Sequence, residues 1–273
     1  MNREEFQNFS EFLRERSGVS LDPSKQYLVE ARMAPLVEAA KLGSLAALVD
    51  RLRESEDPDL ETRVVDEMMT NDTSFFRDVK PFEILRTEIL PAQILTRDKE
   101  RRLQIWSAAC ASGQEAYSIA ILLLESFPEL ADWSIDFLAT DISQAAIEKA
   151  RNGSYSQLEV NRGLPPDLLR KYFTQSGIRW KVNDELREMV EFRELNLVSP
   201  LFEIPRADIV FARNVLLYFE SDLKQKTLGL LRESMAPDAA LFLGRAESPV
   251  GLDHELVRVE GPPANSCFRI RED

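Results

Sequence analysis

The chain has 273 residues, 44% hydrophobic and 30% charged, a composition typical of a globular protein with one large or two smaller domains. Its single histidine and two cysteines exclude zinc fingers, di-histidine metal sites and a disulfide framework, so we expect no metal. The net charge of −13 argues against nucleic acid or an anionic membrane as a partner, because phosphate groups repel an acidic surface.

The first seventy residues predict a small helical bundle. Apolar residues recur at helical spacing and stop at Gly18, after which Asp22-Pro23 opens a second helix. Ser44 caps a third helix, and a fourth is predicted from about Leu60 to Met69.

The pattern changes after Pro91, where short apolar runs alternate with helical spacing. Such alternation predicts a parallel sheet with right-handed crossovers, an α/β fold. Two final strands joined by Gly261-Pro262-Pro263 predict an antiparallel hairpin at the edge of the sheet. The predicted strands are Leu103–Trp106, Trp133–Ala139, Ala207–Ala212, Ala239–Leu243, Leu256–Val259 and Ser266–Ile270, and the helices are Tyr117–Leu124, Ala145–Ala150 and Leu223–Met235.

A more polar stretch from about Ser154 to Glu194 interrupts this alternation. It contains a predicted helix, Asp167–Phe173, and an alternating run, Ile178–Val182, that is typical of a half-buried strand. We interpret the stretch as an insert in the α/β domain.

The residues just beyond the strands are candidates for one shared site, because open parallel sheets bind ligands at the carboxyl ends of their strands. After the first strand, Ser107 to Gly113 is a turn in which alanine and serine replace most of the expected glycines, and the chain has no G-x-G pair. Small residues still let a ligand approach the backbone. Glu115 follows and can accept hydrogen bonds from an amine or from hydroxyls, although a first-turn carboxylate that stabilises the helix is an equally good interpretation.

Two further strand ends carry polar residues. Asp141 occupies the position of a ribose-binding carboxylate, although Asp141 or Ser143 would also serve as a helix N-cap. Arg213 and Asn214 directly follow a buried strand, where they are poor core residues and favour a site. Together the three strand ends suggest an adenosine-containing ligand.

The segment from Thr70 to Asp78 joins the two parts of the chain. It is dense in hydrogen-bonding groups beside Phe75 and Phe76. By itself the segment also fits an Asx turn with both phenylalanines in a core between domains.

Four segments in order, NDTSFFRD, IWSAACASGQEAYSIA, FLATDISQAAIEKARNGSY and IVFARNVLLYF, resemble the chemoreceptor glutamate O-methyltransferases, the CheR family. The resemblance spans nearly the whole chain. It implies a small all-α domain over residues 1–70, a cofactor-contacting linker over 71–90 and a class I S-adenosylmethionine-dependent methyltransferase domain over 91–273. That domain would be Rossmann-like, with a mostly parallel sheet, an antiparallel C-terminal strand and a small β-subdomain inserted at about 154–194 that helps to dock the receptor.

The resemblance also implies the site and its cofactor, S-adenosylmethionine, with no metal. Arg77 and Tyr218 match the family residues beside the transferred methyl group. The residues that match the family's cofactor contacts are Asn71, Thr73, Arg77, Glu115, Asp141, Asn196, Leu197, Arg213 and Asn214.

The implied reaction is attack of a glutamate carboxylate on the methyl carbon of the sulfonium, which gives a methyl ester and S-adenosylhomocysteine. A carboxylate is already ionised at pH 7 and needs no general base, which agrees with the scarcity of histidine. We expect Arg77 to orient the substrate carboxylate or the cofactor and Tyr218 to shape the methyl pocket. Proximity, alignment and exclusion of water would supply the catalysis.

The chain departs from some family members in the insert. Those members carry a glycine-bearing loop that binds a pentapeptide tether at the receptor C-terminus. Here the corresponding stretch, Phe173 to Trp180, is short and has one glycine, so we expect an enzyme that does not depend on the tether.

The expected partners are methyl-accepting chemotaxis receptors, through their cytoplasmic helical bundle. Two alternatives remain: the same chemistry on another signalling protein outside motility, and a non-catalytic cofactor-binding regulatory module, which the presence of Arg77 and Tyr218 disfavours. The sequence has no apolar run of about 20 residues, no signal-peptide core at its start and no coiled-coil repeat. We therefore expect a cytoplasmic monomer that does not insert into the membrane.

Overall fold

The structure, a computed structural model, describes residues 1–54, 57–199, 204, 206–253, 255–259 and 266–271. His254 and the predicted Gly261-Pro262-Pro263 connection lie outside these residues.

The N-terminal residues fold into the predicted helices around an apolar core of their own. The helices are α1 (Arg3–Ser17), α2 (Gln26–Ala39), α3 (Leu45–Glu54) and α4 (Pro58–Met68). A capping box between Asn2 and Glu5 begins α1, and Gly18 ends it with a φ of 77°. Ser44 caps α3, because its Oγ accepts the backbone N–H of Ala47 at 3.1 Å. The core between the helices includes Phe9, Phe12, Leu13, Met33, Leu48 and Val64.

Two helices that the sequence did not predict connect this bundle to the sheet. They are α5 (Lys80–Ile84) and α6 (Leu90–Arg97), separated by a π-helical turn over Leu85–Ile89. The buried Phe82, Leu85 and Leu90 belong to the same core cluster as the sheet, so the connection packs with the α/β domain.

Seven strands form the large sheet of the described residues, in the order β6-β2-β1-β7-β8-β10-β9. The strands β6, β2, β1, β7 and β8 pair in parallel, and β10 is antiparallel to both β8 and β9. The predicted fold, mostly parallel with an antiparallel C-terminal strand, is therefore confirmed. The bounds are β1 (Arg102–Ala108), β2 (Ser134–Asp141), β6 (Glu191–Glu194), β7 (Ala207–Ala212), β8 (Met235–Leu243), β9 (Leu256–Arg258) and β10 (Cys267–Ile270).

Crossover helices cover this sheet. They are α7 (Gln114–Ser126), α8 (Gln144–Asn152) and α12 (Ser221–Glu233). The middle of α7 is apolar on all sides, and its residues 119–121 are completely buried, which places α7 in the core of the domain.

The insert folds as a separate small sheet with the order β3-β5-β4. Its elements are β3 (Ser154–Ser156), α9 (Gln157–Asn161), α10 (Pro166–Tyr172), β4 (Phe173–Ser176), β5 (Arg179–Val182) and α11 (Asp184–Glu188). We expected the insert to reach about residue 194, but β6 pairs in parallel with β2 and belongs to the large sheet. The small sheet itself thus ends with β5. No helix of the described residues is both long and apolar enough to cross a membrane.

Candidate functional site

The carboxyl ends of β1, β2, β6 and β7 open onto one cavity, whose remaining wall comes from the end of α1 and the segment after α4. Parallel strands bring their carboxyl ends to one edge, which explains why residues far apart in sequence meet there. All ten residues predicted for the site line this cavity: Asn71, Thr73, Arg77, Glu115, Asp141, Asn196, Leu197, Arg213, Asn214 and Tyr218.

The turn after β1 contains three residues in the left-handed region. Their φ angles are 59° at Ala109, 49° at Ala111 and 91° at Gly113. These are alternate positions, at which a G-x-G-x-G turn would have glycines, and a Cβ in this region costs about 1–2 kcal/mol. At Gly113 a Cβ would lie 2.9 Å from that of Ala150 on α8, so this position also lacks space for a side chain. Alanine therefore takes the backbone conformation of glycine at two of the three positions.

Glu115 is buried, and both of its carboxylate oxygens accept hydrogen bonds from side chains. Oε1 accepts from Oγ of Ser107 at 2.9 Å, and Oε2 accepts from Nη1 of Arg213 at 3.0 Å. Burial raises the pKa of the Glu115 carboxyl, and the positive charge of Arg213 opposes that rise. Glu115 lies in the first turn of α7, but its carboxylate is held by residues of β1 and of the loop after β7.

The guanidinium of Arg213 connects three parts of the cavity wall. Besides Glu115, its Nη2 donates to the carbonyl of Arg77 at 3.0 Å and to Oδ2 of Asp78 at 2.5 Å. The ring of Phe82 lies 6.0 Å from the guanidinium carbon. Arg213, a predicted cofactor contact, thus lines the cavity, and its guanidinium also bonds to other residues of the protein.

Asp141 ends β2 with a buried carboxylate. Its Oδ2 accepts the backbone N–H of Ala111 at 2.8 Å, and its Oδ1 accepts that of Ser143 at 2.9 Å. Burial raises the pKa of Asp141, and these backbone donors oppose the rise. Ser143 is the N-cap of α8, because its Oγ accepts the N–H of Ala146 at 3.1 Å. The capping alternative therefore applies to Ser143, and Asp141 faces the cavity.

The aromatic residues of the segment after α4 anchor it to the insert. Phe75 is fully buried, with edge-to-face contacts to Tyr155 at 5.2 Å and Phe173 at 5.6 Å between ring centroids. A Cβ on Gly163 would lie 2.0 Å from the carbonyl oxygen of Phe75, so the two backbones touch. Phe75 is a core residue as the simpler interpretation held, but its core is shared with the insert and not with the helical bundle.

The polar residues of the same segment face the cavity. Nη1 of Arg77 donates to the carbonyl of Asp72 at 2.7 Å, and Nδ2 of Asn71 lies 3.4 Å from Oγ of Ser143. Thr73 is half-buried beside them. The segment therefore buries Phe75 in the core and presents Asn71, Thr73 and Arg77 to the cavity.

The turn that carries Arg77 has an uncommon backbone. Phe76, Asp78 and Val79 have φ angles of 48°, 68° and 52°, a region that residues other than glycine rarely adopt. Strain of this kind persists only where surrounding contacts impose it, and clusters at functional sites. Here the bonds from Arg213 supply such contacts.

The end of α1 closes the cavity on the side of the helical bundle. Nδ2 of Asn196 donates to the carbonyl of Arg16 at 2.6 Å, so part of the amide predicted to bind cofactor also holds α1. The N–H of Ser20 donates to the carbonyl of Tyr218 at 2.9 Å. Leu197 is buried and gives the wall an apolar patch.

Glu247 is a residue behind the site that was not predicted from the sequence. This buried carboxylate accepts the backbone N–H groups of Asn214 at 2.8 Å, Leu217 at 3.2 Å and Gly244 at 2.6 Å. Glu247 lies just beyond the carboxyl end of β8, so the rule applied to the other three strands would have found it.

The fold and the site together define a class I methyltransferase dependent on S-adenosylmethionine: a mostly parallel sheet whose strand ends present buried carboxylates to one cavity. Residues 71–263 match the CheR methyltransferase SAM binding domain, and residues 4–69 match the CheR methyltransferase all-alpha domain. The chain therefore belongs to the CheR methyltransferase family, and the predicted family and cofactor are confirmed. Among the described residues, no group of three or more histidine, cysteine, aspartate or glutamate side chains could hold a metal ion.

Curated relatives agree with the family over nearly the full chain. A chemotaxis protein methyltransferase of Vibrio parahaemolyticus is 40% identical and aligns over 95% of this chain and 94% of its own. Chemotaxis protein methyltransferases of Pseudomonas putida and Pseudomonas aeruginosa are 37% and 38% identical, each over 95% of both chains.

Proposed function

We propose that this protein transfers a methyl group from S-adenosylmethionine to glutamate side chains on the cytoplasmic helices of chemoreceptors. The observation that carries the proposal is the convergence of all ten predicted residues on one cavity. The names of the relatives, chemotaxis protein methyltransferases, favour a protein substrate in chemotaxis. The product would be a glutamate methyl ester.

The cavity fits the cofactor by the chemistry of its groups. The buried carboxylates of Glu115 and Asp141 suit an amino group and hydroxyl groups, and Leu197 offers an apolar surface. Asn71 and Asn214 add amide groups at the rim. When bound, S-adenosylmethionine supplies a methyl group on a positively charged sulfur. A carboxylate oxygen can attack the carbon of that methyl group and displace the sulfur.

The proposed reaction needs no general base from the protein. A glutamate carboxylate is ionised at neutral pH, because its ordinary pKa is about 4.3. The one histidine of the sequence, His254, lies outside the described residues and plays no part in the proposal.

Arg77 is the residue that we assign to the incoming carboxylate. Arg77 is half-buried in the cavity wall, and within the described part of the chain its guanidinium makes one hydrogen bond, to the carbonyl of Asp72, which leaves donors for a substrate carboxylate. Tyr218 is half-buried on another part of the same wall and would shape the space around the methyl group.

An Arg77→Ala variant tests this assignment. We expect kcat to fall by about 100-fold or more, while the dissociation constant for S-adenosylhomocysteine changes by less than about tenfold. An unchanged methylation rate would remove Arg77 from the reaction.

The insert favours an enzyme that does not use a receptor tether. The hairpin of β4 and β5 turns over only two residues, Gly177 and Ile178. This turn is too short to form a glycine-bearing binding loop. Calorimetric titration with a receptor C-terminal pentapeptide should show no binding, and tight binding would contradict this part of the proposal.

The substrate is tested by incubating the protein with labelled S-adenosylmethionine and membranes that contain the cognate receptor. Carboxyl methyl esters release methanol in alkali, whereas N-methyl groups do not, so alkali-labile label on the receptor is the expected result. Alkali-stable label would indicate another acceptor group. Cofactor binding without transfer would favour the regulatory module, and label on a different signalling protein would favour the non-motility alternative.

The proposal includes the domain limits 1–70, 71–90 and 91–273 and a monomer in the cytoplasm, where the receptor helices would be reached. Light scattering coupled to gel filtration tests the monomer, and cell fractionation tests the location.

A further inference from the structure

We propose that Glu247 is a positioning residue for methyl transfer: its carboxylate fixes the loop from Arg213 to Tyr218 and thereby holds Asn214 and Tyr218 at the cavity. The inference rests on the proposed function, which places Tyr218 beside the transferred methyl group. Glu247 itself is not among the residues that line the cavity, so it acts through the loop.

The geometry of Glu247 is that of an anchor for backbone. Oε2 accepts the N–H of Asn214 at 2.8 Å and that of Gly244 at 2.6 Å, while Oε1 accepts the N–H of Leu217 at 3.2 Å. The residue is 8% exposed. A buried carboxylate is stable only where donors compensate its charge, and here three backbone donors do so.

The loop needs this anchor because its backbone is irregular before the short 3-10 helix Leu216–Tyr218. Asn214 has a φ of 61°, in the left-handed region, so the chain turns sharply directly after β7. Leu217 is 40% exposed, and its N–H bonds to a side chain instead of to a neighbouring strand or helix. Glu247 therefore holds the loop at two points: the sharp turn at Asn214 and the second residue of the 3-10 helix Leu216–Tyr218.

Gly244 gives independent evidence that the fold makes room for this carboxylate. A Cβ at Gly244 would lie 2.6 Å from Oε2 of Glu247 and 2.9 Å from the backbone nitrogen of Asn214. Gly244 is not among the residues with positive φ, so space, and not backbone conformation, requires glycine there. An added methyl group would push the carboxylate and the loop apart.

The far end of the loop is fixed separately. The carbonyl of Tyr218 accepts the N–H of Ser20, and the next residue, Phe219, is buried. Loss of Glu247 would thus free the loop between Arg213, which keeps its bonds to Glu115 and Asp78, and Tyr218, which keeps its bond to Ser20. A local change of this kind affects a reaction geometry before it unfolds the protein.

The first test is Glu247→Gln, with Glu233→Gln on the exposed side of α12 as the matched control. The amide keeps the size of the side chain but turns an NH2 group toward one of the three backbone donors. We expect kcat to fall by about tenfold or more, against a change of about threefold or less in the dissociation constant for S-adenosylhomocysteine, and a control that behaves as wild type. A Glu247→Gln enzyme with wild-type kcat overturns the proposal.

Amide hydrogen exchange provides a readout that needs no turnover. In Glu247→Gln the amides of Asn214 and Leu217 should exchange faster by about tenfold, while amides in the core of β7 keep their rates. Gly244→Ala should give the same pattern of exchange and kcat, because it displaces the same carboxylate. Unchanged exchange at both amides overturns the anchoring role. If the wild-type protein does not methylate receptors, the proposed function fails, and the exchange rates still decide whether Glu247 holds the loop.

Discussion

Arg213 and Glu115 form a buried ion pair, with Nη1 3.0 Å from Oε2, that joins the loop after β7 to the start of α7. The side chains are 2% and 10% exposed, so neither charge is well solvated by water. When one partner of such a pair is removed, the other is left buried without compensation. Arg213 also bonds to Asp78 and to the carbonyl of Arg77. The pair therefore links Glu115, which we propose to bind the cofactor, to the turn that carries Arg77.

Removal of Arg213 should make cofactor binding depend on pH. Burial raises the pKa of Glu115 and Arg213 opposes the rise, so Arg213→Met should raise that pKa further. The carboxylate form is the one that suits a cationic amino group, and it is lost as the pH falls through the raised pKa. We expect the affinity of Arg213→Met for S-adenosylhomocysteine to weaken more steeply than that of wild type as the pH is lowered, by calorimetric titration at several pH values.

The control for this experiment is Arg102→Met, which breaks an exposed ion pair with Asp136 far from Glu115. Its pH profile should coincide with that of wild type. A profile of Arg213→Met parallel to wild type would show that Arg213 does not govern the ionisation of Glu115.

Two glycines of the insert allow a matched test of how the insert supports the site. Gly163 and Gly177 both have positive φ, 90° and 60°, but only at Gly163 would a Cβ meet another backbone, 2.0 Å from the carbonyl oxygen of Phe75. Gly177→Ala should therefore cost about 1 kcal/mol in the free energy of unfolding, and Gly163→Ala about 3 kcal/mol or more. Urea denaturation measures both.

The same pair separates stability from function. Only Gly163→Ala displaces the backbone that leads to Arg77, so only this variant should weaken binding of S-adenosylhomocysteine. We expect its dissociation constant to rise by about tenfold at pH 7 in the absence of urea. Equal effects of the two substitutions on unfolding and on binding would mean that the contact with Phe75 carries no weight.

Much of the fold could be predicted because its elements have strong local signals. Gly18 ends α1 as expected, and the run Ala207–Ala212, apolar except for Asp208, is the central strand β7. The helices α5 and α6 were missed because Pro81 and Pro91 interrupt the segment and a π-helical turn between them disturbs the helical period. The strand β6 was assigned to the insert because an edge strand with one buried side chain, Phe192, looks as polar as its surroundings.

The members of the site could be predicted, but their bonds could not. Strand ends identify Glu115, Asp141 and Arg213, because parallel strands end at one edge. No local signal tells that Arg213 bonds to a carboxylate 98 residues earlier, or that Glu247 bonds back to the loop after β7. Such partners depend on how the loops pack after the sheet has formed.

In the turn after β1, we expect replacement of an alanine by glycine to stabilise the protein, which is unusual. Ala111 has a φ of 49°, where glycine pays no penalty for a Cβ, and its backbone N–H keeps its bond to Asp141 after substitution. Ala111→Gly should raise the free energy of unfolding by up to about 1 kcal/mol. Ala92→Gly on the exposed side of α6, with ordinary helical backbone, should lower it by about 0.5–1 kcal/mol. Chemical denaturation of both variants checks the opposite signs, and a loss in both would mean that Ala111 is not strained.

A second buried ion cluster lies outside the cavity lining. We expect it to stabilise the fold without affecting cofactor binding. Arg97 on α6 bonds to Asp208 at 2.5 Å and to Asp238 at 2.7 Å, and Arg97 and Asp208 are both buried. Arg97→Met leaves Asp208 buried without its partner, so we expect a loss of about 3–5 kcal/mol in the free energy of unfolding. The exposed pair of Arg102 and Asp136 is the matched control, because Arg102→Met should cost about 1 kcal/mol or less. Neither variant should change the affinity for S-adenosylhomocysteine in the absence of denaturant, since Arg97 and Arg102 lie outside the cavity lining. Equal losses of stability in the two variants would contradict the role assigned to the buried cluster.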